Sequence, residues 1–440
     1  MFKFFTQYAK NLLQIAGPII MGNLGFIMIG VGDVIVAGRH STDTLAAISI
    51  ATAITNCILM FGIGILTTSS AILSNYRGEG KDICKYFFPS IKLAFTLSII
   101  ATGIIFACVP LIDKIGYTPN LSQIVKEYLI ITGFAVFGGY LHCAMKEFLQ
   151  AFEIVMFPNL LTIFCVFLNL ILNILFVFGC NLIPGMGAIG LAISSLIIRY
   201  FMGIILLIYC LKKIKVMYYK DFRYYKDLIK VGLPSSLAIM IQFTAFNIIA
   251  VIMGRVAGIY AAAHNLLCTL TSVSFMIPLA TSNAMAVKVG FANGAKEYLT
   301  LKRYAYTGIT ISIFVMLISA TTLCLFPEFF IGMFTRDMKL INVCVPIVYV
   351  LCFFQIFDGL QVSFAGIFKG LKQTKIVMFS NFVSCWFVAF PIGYTLAFKF
   401  NLKLIGFWYG LCLSSAIICT IMFITMLRKF AKFPQKEVLI

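Results

Sequence analysis

The sequence predicts an all-α polytopic membrane protein, with twelve transmembrane helices in two pseudo-symmetric six-helix lobes. Three observations predict it. Of 440 residues, 61% are hydrophobic and 11% are charged, against about 45–50% and about 25% in soluble globular chains. Apolar runs of about eighteen residues or more recur along the whole length, each long enough to cross a hydrocarbon core as a helix. The second half also repeats landmarks of the first. Such a composition excludes a soluble enzyme, a disordered tail or a nucleic-acid-binding module.

The opening MFKFFTQYAKNLLQ has no short apolar region followed by a small-residue cleavage site, so no removable signal is expected. Polar breaks then delimit segments 11–37, 44–70, 87–112, 124–150, 157–180 and 185–211. The fourth is marked by Lys126 and Glu127 near its start and Lys146 and Glu147 near its end. A basic stretch at 211–230, LKKIKVMYYKDFRYYKDLIK, reads as the linker between an amino-terminal lobe (1–215) and a carboxy-terminal lobe (216–440). Segments 228–254, 259–288, 302–326, 341–368, 374–399 and 404–428 follow. Several exceed the ~20 residues that a bilayer requires, which permits tilt.

An even number of spans puts both termini on one side. The net charge of +19, from 34 Lys+Arg against 15 Asp+Glu, chooses that side. Basic residues crowd 77–85, 212–230, 296–303, 369–375 and 428–429, all on the face shared with the termini. The opposite face holds only Arg39, Lys114, Lys126, Arg255, Arg336, Lys339, Lys399 and Lys403. By the positive-inside rule both termini are cytoplasmic. A multi-pass protein of the cell (inner or plasma) membrane is expected.

The repeat is legible at fixed offsets. Pro18 leads to Gly38-Arg39 and Leu45-Ala46-Ala47, and Pro234 leads to Gly254-Arg255 and Ala261-Ala262-Ala263, 216 residues on. IVMFPN at 154–159 returns as IVMFSN at 376–381, 222 residues on. Six spans per half start both halves on the same side, so the repeat is parallel, about an axis along the membrane normal. Two facing lobes would provide a central cleft and a rocking motion.

Most acids lie at segment ends, but Asp33 (GFIMIGVGDVIVAG) and Asp358 (FFQIFDGLQVSFAG) lie within spans. A charge at the bilayer centre costs at least ~2.5–3.5 kcal/mol, so such residues face a cavity or a partner. A carboxylate there can hold a proton, accept Na⁺ or an organic cation, or make a structural hydrogen bond to a neighbouring helix. Asn169 and Asn173 are four apart and share a helix face; their amides could coordinate a cation, hold Asp33, or bond between helices. Gln242, Asn247, Gln355 and Gln361 are comparable candidates in the second half. Lys92, Arg199 and Lys288 are expected near cytoplasmic helix ends, where long stems snorkel.

Other chemistries are not written here. There is no P-loop. The fourteen cysteines are dispersed singly and read as buried free thiols, and the three histidines make no metal-ligand spacing. The patch Thr67-Thr68-Ser69-Ser70 has no nearby His to activate it, and no filter-like loop or ring of like charges suggests a channel. Neither an enzyme nor a metal site is expected. An ion-coupled secondary transporter is.

These residues resemble the multidrug and toxic compound extrusion (MATE) family. The likeness rests on Pro18 leading to Asp33-Val34-Ile35-Val36-Ala37-Gly38, on Phe148-Leu149-Gln150 before Pro158-Asn159, on Asn169 and Asn173, and on Gly187-Ala188-Ile189-Gly190-Leu191-Ala192. Its second-half parts are Gly232-Leu233-Pro234, Ala262-Ala263-His264 and Asp358-Gly359-Leu360-Gln361 leading to Lys369-Gly370. The resemblance implies two bundles of six helices and exchange of H⁺ or Na⁺ for organic cations, with no cofactor beyond the coupling ion. It implies cation coupling at Asp33, with Asn169 as its partner. Asn173 stands where some members carry a second acid. Asp358 matches a carboxy-lobe aspartate, and Gln242 stands where several Na⁺-coupled members carry a glutamate.

The expected function is export of drugs or organic cations by alternating access. The cation-coupling residues would be Asp33, Asn169 and Asn173, and the carboxy-lobe binding residues Asp358 and Gln242. Partners would be small-molecule organic cations and membrane lipid, with no nucleic acid, and the chain would act as a monomer. The 44 Phe and 19 Met would supply an adaptable lining. The alternatives are a lipid-linked saccharide flippase of the same superfamily, whose pyrophosphate ligand would require several cleft Lys or Arg, or an exporter of a native metabolite.

Overall fold

A computed structural model describes residues 2–180, 184–215, 217 and 222–434. Among the described residues, twelve helical runs are long and apolar enough to cross a membrane. In the first half they are α1 (Phe5–His40), α2 (Thr42–Gly78), α3 (Ile83–Ile115), α4 (Pro119–Ala151), α5 (Met156–Phe178) and α6 (Ala188–Lys213). In the second they are α7 (Phe222–Val256), α8 (Gly258–Gly294), α9 (Tyr298–Leu325), α10 (Met338–Gly370), α11 (Lys375–Lys399) and α12 (Lys403–Ala431). Each predicted segment corresponds to one of them.

Most helices run past the apolar limits, because local chemistry and not hydropathy ends them. Ser41 is extended between α1 and α2, and its hydroxyl accepts the Thr44 N–H at 3.1 Å, capping α2. Asp337 caps α10 by accepting from the Lys339 N–H at 2.9 Å. Pro119 opens α4, where a missing N–H costs nothing. Gly179, at φ 79°, closes α5. Of the stretch read as a linker, 211–213 complete α6 and 222–230 begin α7; residues 216 and 218–221 lie outside the described residues. Charge marks the membrane edge there, not the helix edge.

Two helices are interrupted. A turn at Thr67-Thr68 divides α2 into Thr42–Leu66 and Ser69–Gly78. In α11 the widened π turns Cys385–Ala389 and Thr395–Lys399 flank Phe390–Tyr394, which contains Pro391. Proline removes a ladder hydrogen bond, and widened turns are a common local accommodation.

The chain forms two compact units, Pro18–Ser236 and Met1–Gly17 with Leu237–Ile440. The grouping exchanges helix ends between the halves: α1 opens within the second unit, and α7 opens within the first. Within Pro18–Ser236, the fully buried Tyr224 of α7 lies 2.8 Å from the Ser69 hydroxyl and 2.9 Å from that of Ser90. Three residues on, Asp227 accepts a hydrogen bond from the Tyr76 hydroxyl at 2.9 Å. Within the other unit, Tyr8 of α1 meets Tyr304 edge to face at 4.7 Å, and Asn11 donates to the Tyr304 hydroxyl at 3.2 Å. Tyr8 and Tyr224, like Asn11 and Asp227, are 216 positions apart, the spacing of Pro18 and Pro234. The two halves attach the start of their first helix by the same two positions.

The second repeat block has a spatial counterpart. Asn159 of α5 packs so closely on Gly22 of α1 that any Cβ there would collide with it. Asn381 of α11 donates to the Ala238 carbonyl of α7 at 3.3 Å, and Ala238 is 216 residues beyond Gly22.

Candidate cation sites in the two units

In the unit Pro18–Ser236, three helices bring polar groups together around Asp33 of α1. Asn173 of α5 donates to Asp33 Oδ1 at 2.6 Å and to Asn169 Oδ1 at 3.1 Å. Ser195 of α6 donates to Asp33 Oδ2 at 3.4 Å. The i, i+4 spacing of the two asparagines places both amides on the α1-facing side of α5, where they are 1% and 0% exposed. Asn173 Oδ1 and Asn169 Nδ2 are buried without a hydrogen-bond partner among the described residues. Carboxylate and amide oxygens are hard donors, suited to a proton or to a small cation such as Na⁺.

The other unit builds a second cluster on different helices. Gln242 of α7 donates to Asp358 Oδ1 of α10 at 3.3 Å. Gln361, one turn along α10, donates to Gln242 Oε1 at 3.3 Å and to Asn381 Oδ1 of α11 at 3.1 Å. Asp358, Gln361 and Asn381 are buried, and Gln242 is half-buried. The result is one carboxylate among three amides, a set that favours a cation over an anion.

The clusters are not copies of one another. The position 216 beyond Asp33 is Ile249, and those 222 beyond Asn169 and Asn173 are Pro391 and Thr395, in the widened part of α11. The repeat thus conserves the helical frame while each half carries its own polar chemistry.

All five predicted site residues fall in one cluster or the other. Among the weaker candidates, Gln361 joins the Asp358 cluster. Gln355 instead accepts from Ser319 at 3.1 Å, one turn along α10 from Asp358. Asn247 bonds to the Phe243 carbonyl of its own helix on an exposed face. Lys92 is exposed on α3, and Lys288 stands 5.9 Å over the Tyr304 ring, six residues from the end of α8. Arg199 departs from expectation: it lies in the middle of α6, far from both ends. Snorkelling to the cytoplasmic face does not account for it.

Ser195 and Asn381 are the members that sequence reasoning missed. A signal existed for each. GLAISSLII at 190–198 returns as GLCLSSAII at 410–418, and Asn381 ends the repeated IVMFSN block. Among the described residues no group of three or more His, Cys, Asp or Glu could hold a metal, and all fourteen cysteines are free thiols.

Comparison with known proteins agrees with this architecture. Residues 18–175 and 234–395 each match the MatE family model, so the two matched stretches start at the paired prolines. The probable multidrug resistance protein NorM of Photorhabdus laumondii is 27% identical over 433 residues, 95% of each chain. NorM of Bacillus subtilis is 25% identical over 439 residues, 97% of each. Among solved structures, the eukaryotic MATE transporter AtDTX14 superposes with a TM-score of 0.87 at 17% identity, covering 98% of each chain. A MOP superfamily transporter from Pyrococcus furiosus superposes with a TM-score of 0.86 at 16% identity, covering 97% of this chain and 96% of that one. Both structures share the fold.

Proposed function

This chain belongs to the MatE family of membrane transporters, and from that premise we propose that it is an antiporter exporting organic cations or drugs in exchange for H⁺ or Na⁺. The observation that carries the reading is the hydrogen bond from Asn173 to Asp33, 2.6 Å long, inside a membrane span. A carboxylate held there by amides and a hydroxyl is the group through which a proton or Na⁺ alters the state of the amino-terminal lobe. The ion drives transport only through different affinities for outward- and inward-facing states. Asp358, with Gln242, Gln361 and Asn381, offers the carboxy-terminal lobe a separate place for a cationic cargo.

In this scheme the lobes 1–215 and 216–440 alternate access to the two faces, and both termini lie in the cytoplasm of a cell whose plasma membrane holds the protein as a monomer. Asp33, Asn169 and Asn173 handle the coupling ion; Asp358 and Gln242 handle cargo. No cofactor enters, and the surrounding lipid is the only other partner.

The test is ethidium efflux from cells producing the chain, beside Asp33→Asn, with external Na⁺ and a protonophore varied independently. Efflux that collapses in Asp33→Asn supports the antiport. Dependence on Na⁺ or on the proton gradient then identifies the ion. Efflux that is indifferent to Asp33→Asn overturns the assignment of coupling to this residue.

A further inference from the structure

Arg199 has no task in that scheme, yet its position is closely determined. It stands eleven residues from Ala188 and fourteen from Lys213 along α6, or about 16 and 21 Å from the two ends at 1.5 Å per residue. Those lengths exceed the reach of any side chain. Gly138 of α4 packs so tightly on α6 that a Cβ there would stand 2.6 Å from the Tyr200 nitrogen and 2.7 Å from the Arg199 carbonyl carbon. The Arg199 stem crosses the adjacent Gly139, whose Cβ would be 3.6 Å from Arg199 Cδ. Ser195, which donates to Asp33, lies one helical turn away on the same face.

Between Ala188 and Cys210 the guanidinium is the one charge that α6 carries. It nevertheless makes no hydrogen bond and no ion pair among the described residues. Asp33 turns its two oxygens to Asn173 and Ser195, and the Tyr140 hydroxyl donates to the Leu59 carbonyl at 3.2 Å. Five N–H donors at mid-membrane depth, without a protein acceptor, are costly to keep. Their planar fork matches a carboxylate in bidentate fashion, which an ammonium group cannot do.

We infer that Arg199 receives a carboxylate of the exported compound, so that, once Asp33 has released its ion, the amino-terminal site takes a zwitterionic cargo with its cationic group towards Asp33 and its carboxylate on Arg199, in addition to the place for a cationic cargo at Asp358. This deepens the efflux reading and rests on it. A solitary guanidinium one helical turn from the serine that donates to Asp33 suits a compound carrying both charges. The pyrophosphate of a lipid-linked saccharide would call for several basic groups, and Lys92 and Lys288 stand elsewhere.

Rhodamine 110 and its methyl ester, rhodamine 123, differ only in a free against an esterified carboxyl group. Fluorescence anisotropy with the purified full chain in detergent would measure the binding of each. Wild type is expected to bind the free acid about tenfold more tightly than the ester, the scale of a charge-assisted hydrogen bond. Arg199→Gln removes that preference and leaves ester binding within about twofold, whereas Arg199→Lys, which keeps the charge but not the fork, retains part of it. Equal binding of the two dyes by wild type, or a preference that survives in Arg199→Gln, overturns the inference. So does an equal loss of both dyes in Arg199→Gln and Arg199→Lys, since it would mark a residue that merely supports the site. Cellular export of the ester, and its loss in Asp33→Asn, tests the efflux reading separately because the ester has no carboxylate.

Discussion

Asn173 on α5 donates to Asp33 on α1 across 2.6 Å, and the same nitrogen lies 3.1 Å from Asn169 Oδ1. One amide therefore ties a carboxylate to a helix that the chain reaches 140 residues later. Losing it leaves Asp33 with Ser195 alone at 3.4 Å. Asn173→Ala is expected to reduce drug export about fivefold, and Asp33→Asn by more, on the scale of a coupling energy of about 1–3 kcal/mol. Initial rates of ethidium efflux, normalised to protein level, check the order.

The second cluster should respond differently. Asp358 receives Gln242 at 3.3 Å and serves cargo in the proposed scheme. Asp358→Asn is expected to raise the KM for a cationic dye about tenfold, as loss of a charge-assisted contact does, while leaving the dependence on Na⁺ or protonophore unchanged. If ion dependence disappears together with affinity, coupling and cargo share this residue.

The buried docking of α7 on its unit is open to a stability measurement. Tyr224→Phe deletes a hydroxyl with the ring packing intact; Ser69 loses its only hydrogen-bond partner among the described residues, while Ser90 keeps its bond to the Tyr86 carbonyl at 2.8 Å. Unsatisfied buried polar groups cost about 1–3 kcal/mol each. The melting temperature in detergent should fall, and Ser69→Ala in the Tyr224→Phe background should recover part of the loss.

Orientation can be read from two native cysteines. Cys180, exposed just past the end of α5, should react with a membrane-impermeant maleimide in intact cells of a variant keeping Cys180 alone. Cys84, at the start of α3, should react only after permeabilisation. The reverse pattern would put both termini outside.

The fold and the chief residues of the candidate sites were legible for one reason: lipid penalises charge and breaks in apolar sequence. Asp33 and Asp358 stand out against apolar neighbours, and Asn169 and Asn173 declare a shared face by their spacing. Ser195 does not stand out, because a serine in a membrane helix can bond its own backbone, as Ser194 does to the Gly190 carbonyl. Asn381 read as a landmark of the repeat, and only its distance to Gln361 makes it a site residue. Arg199 misleads because a basic residue in an apolar segment ordinarily marks its edge, and only the bounds of α6 show that both ends lie beyond its reach. The exchange of helix ends was beyond sequence reasoning altogether, since charge marks where a segment leaves the membrane and says nothing of which unit it packs against.

That exchange has a consequence for how the molecule is made. Asn11 leaves the ribosome 293 residues before its partner Tyr304, an interval of about 15–60 s at ~5–20 residues per second. The first unit is likewise incomplete until Ser236 has been synthesised. During that time the beginning of α1 stands inserted without its aromatic and polar partners, whereas Tyr224 and Asp227 of α7 emerge after theirs. The nascent chain must therefore be sheltered by lipid or by the insertion machinery until its second half arrives, and a break between the halves would strand both segments at birth.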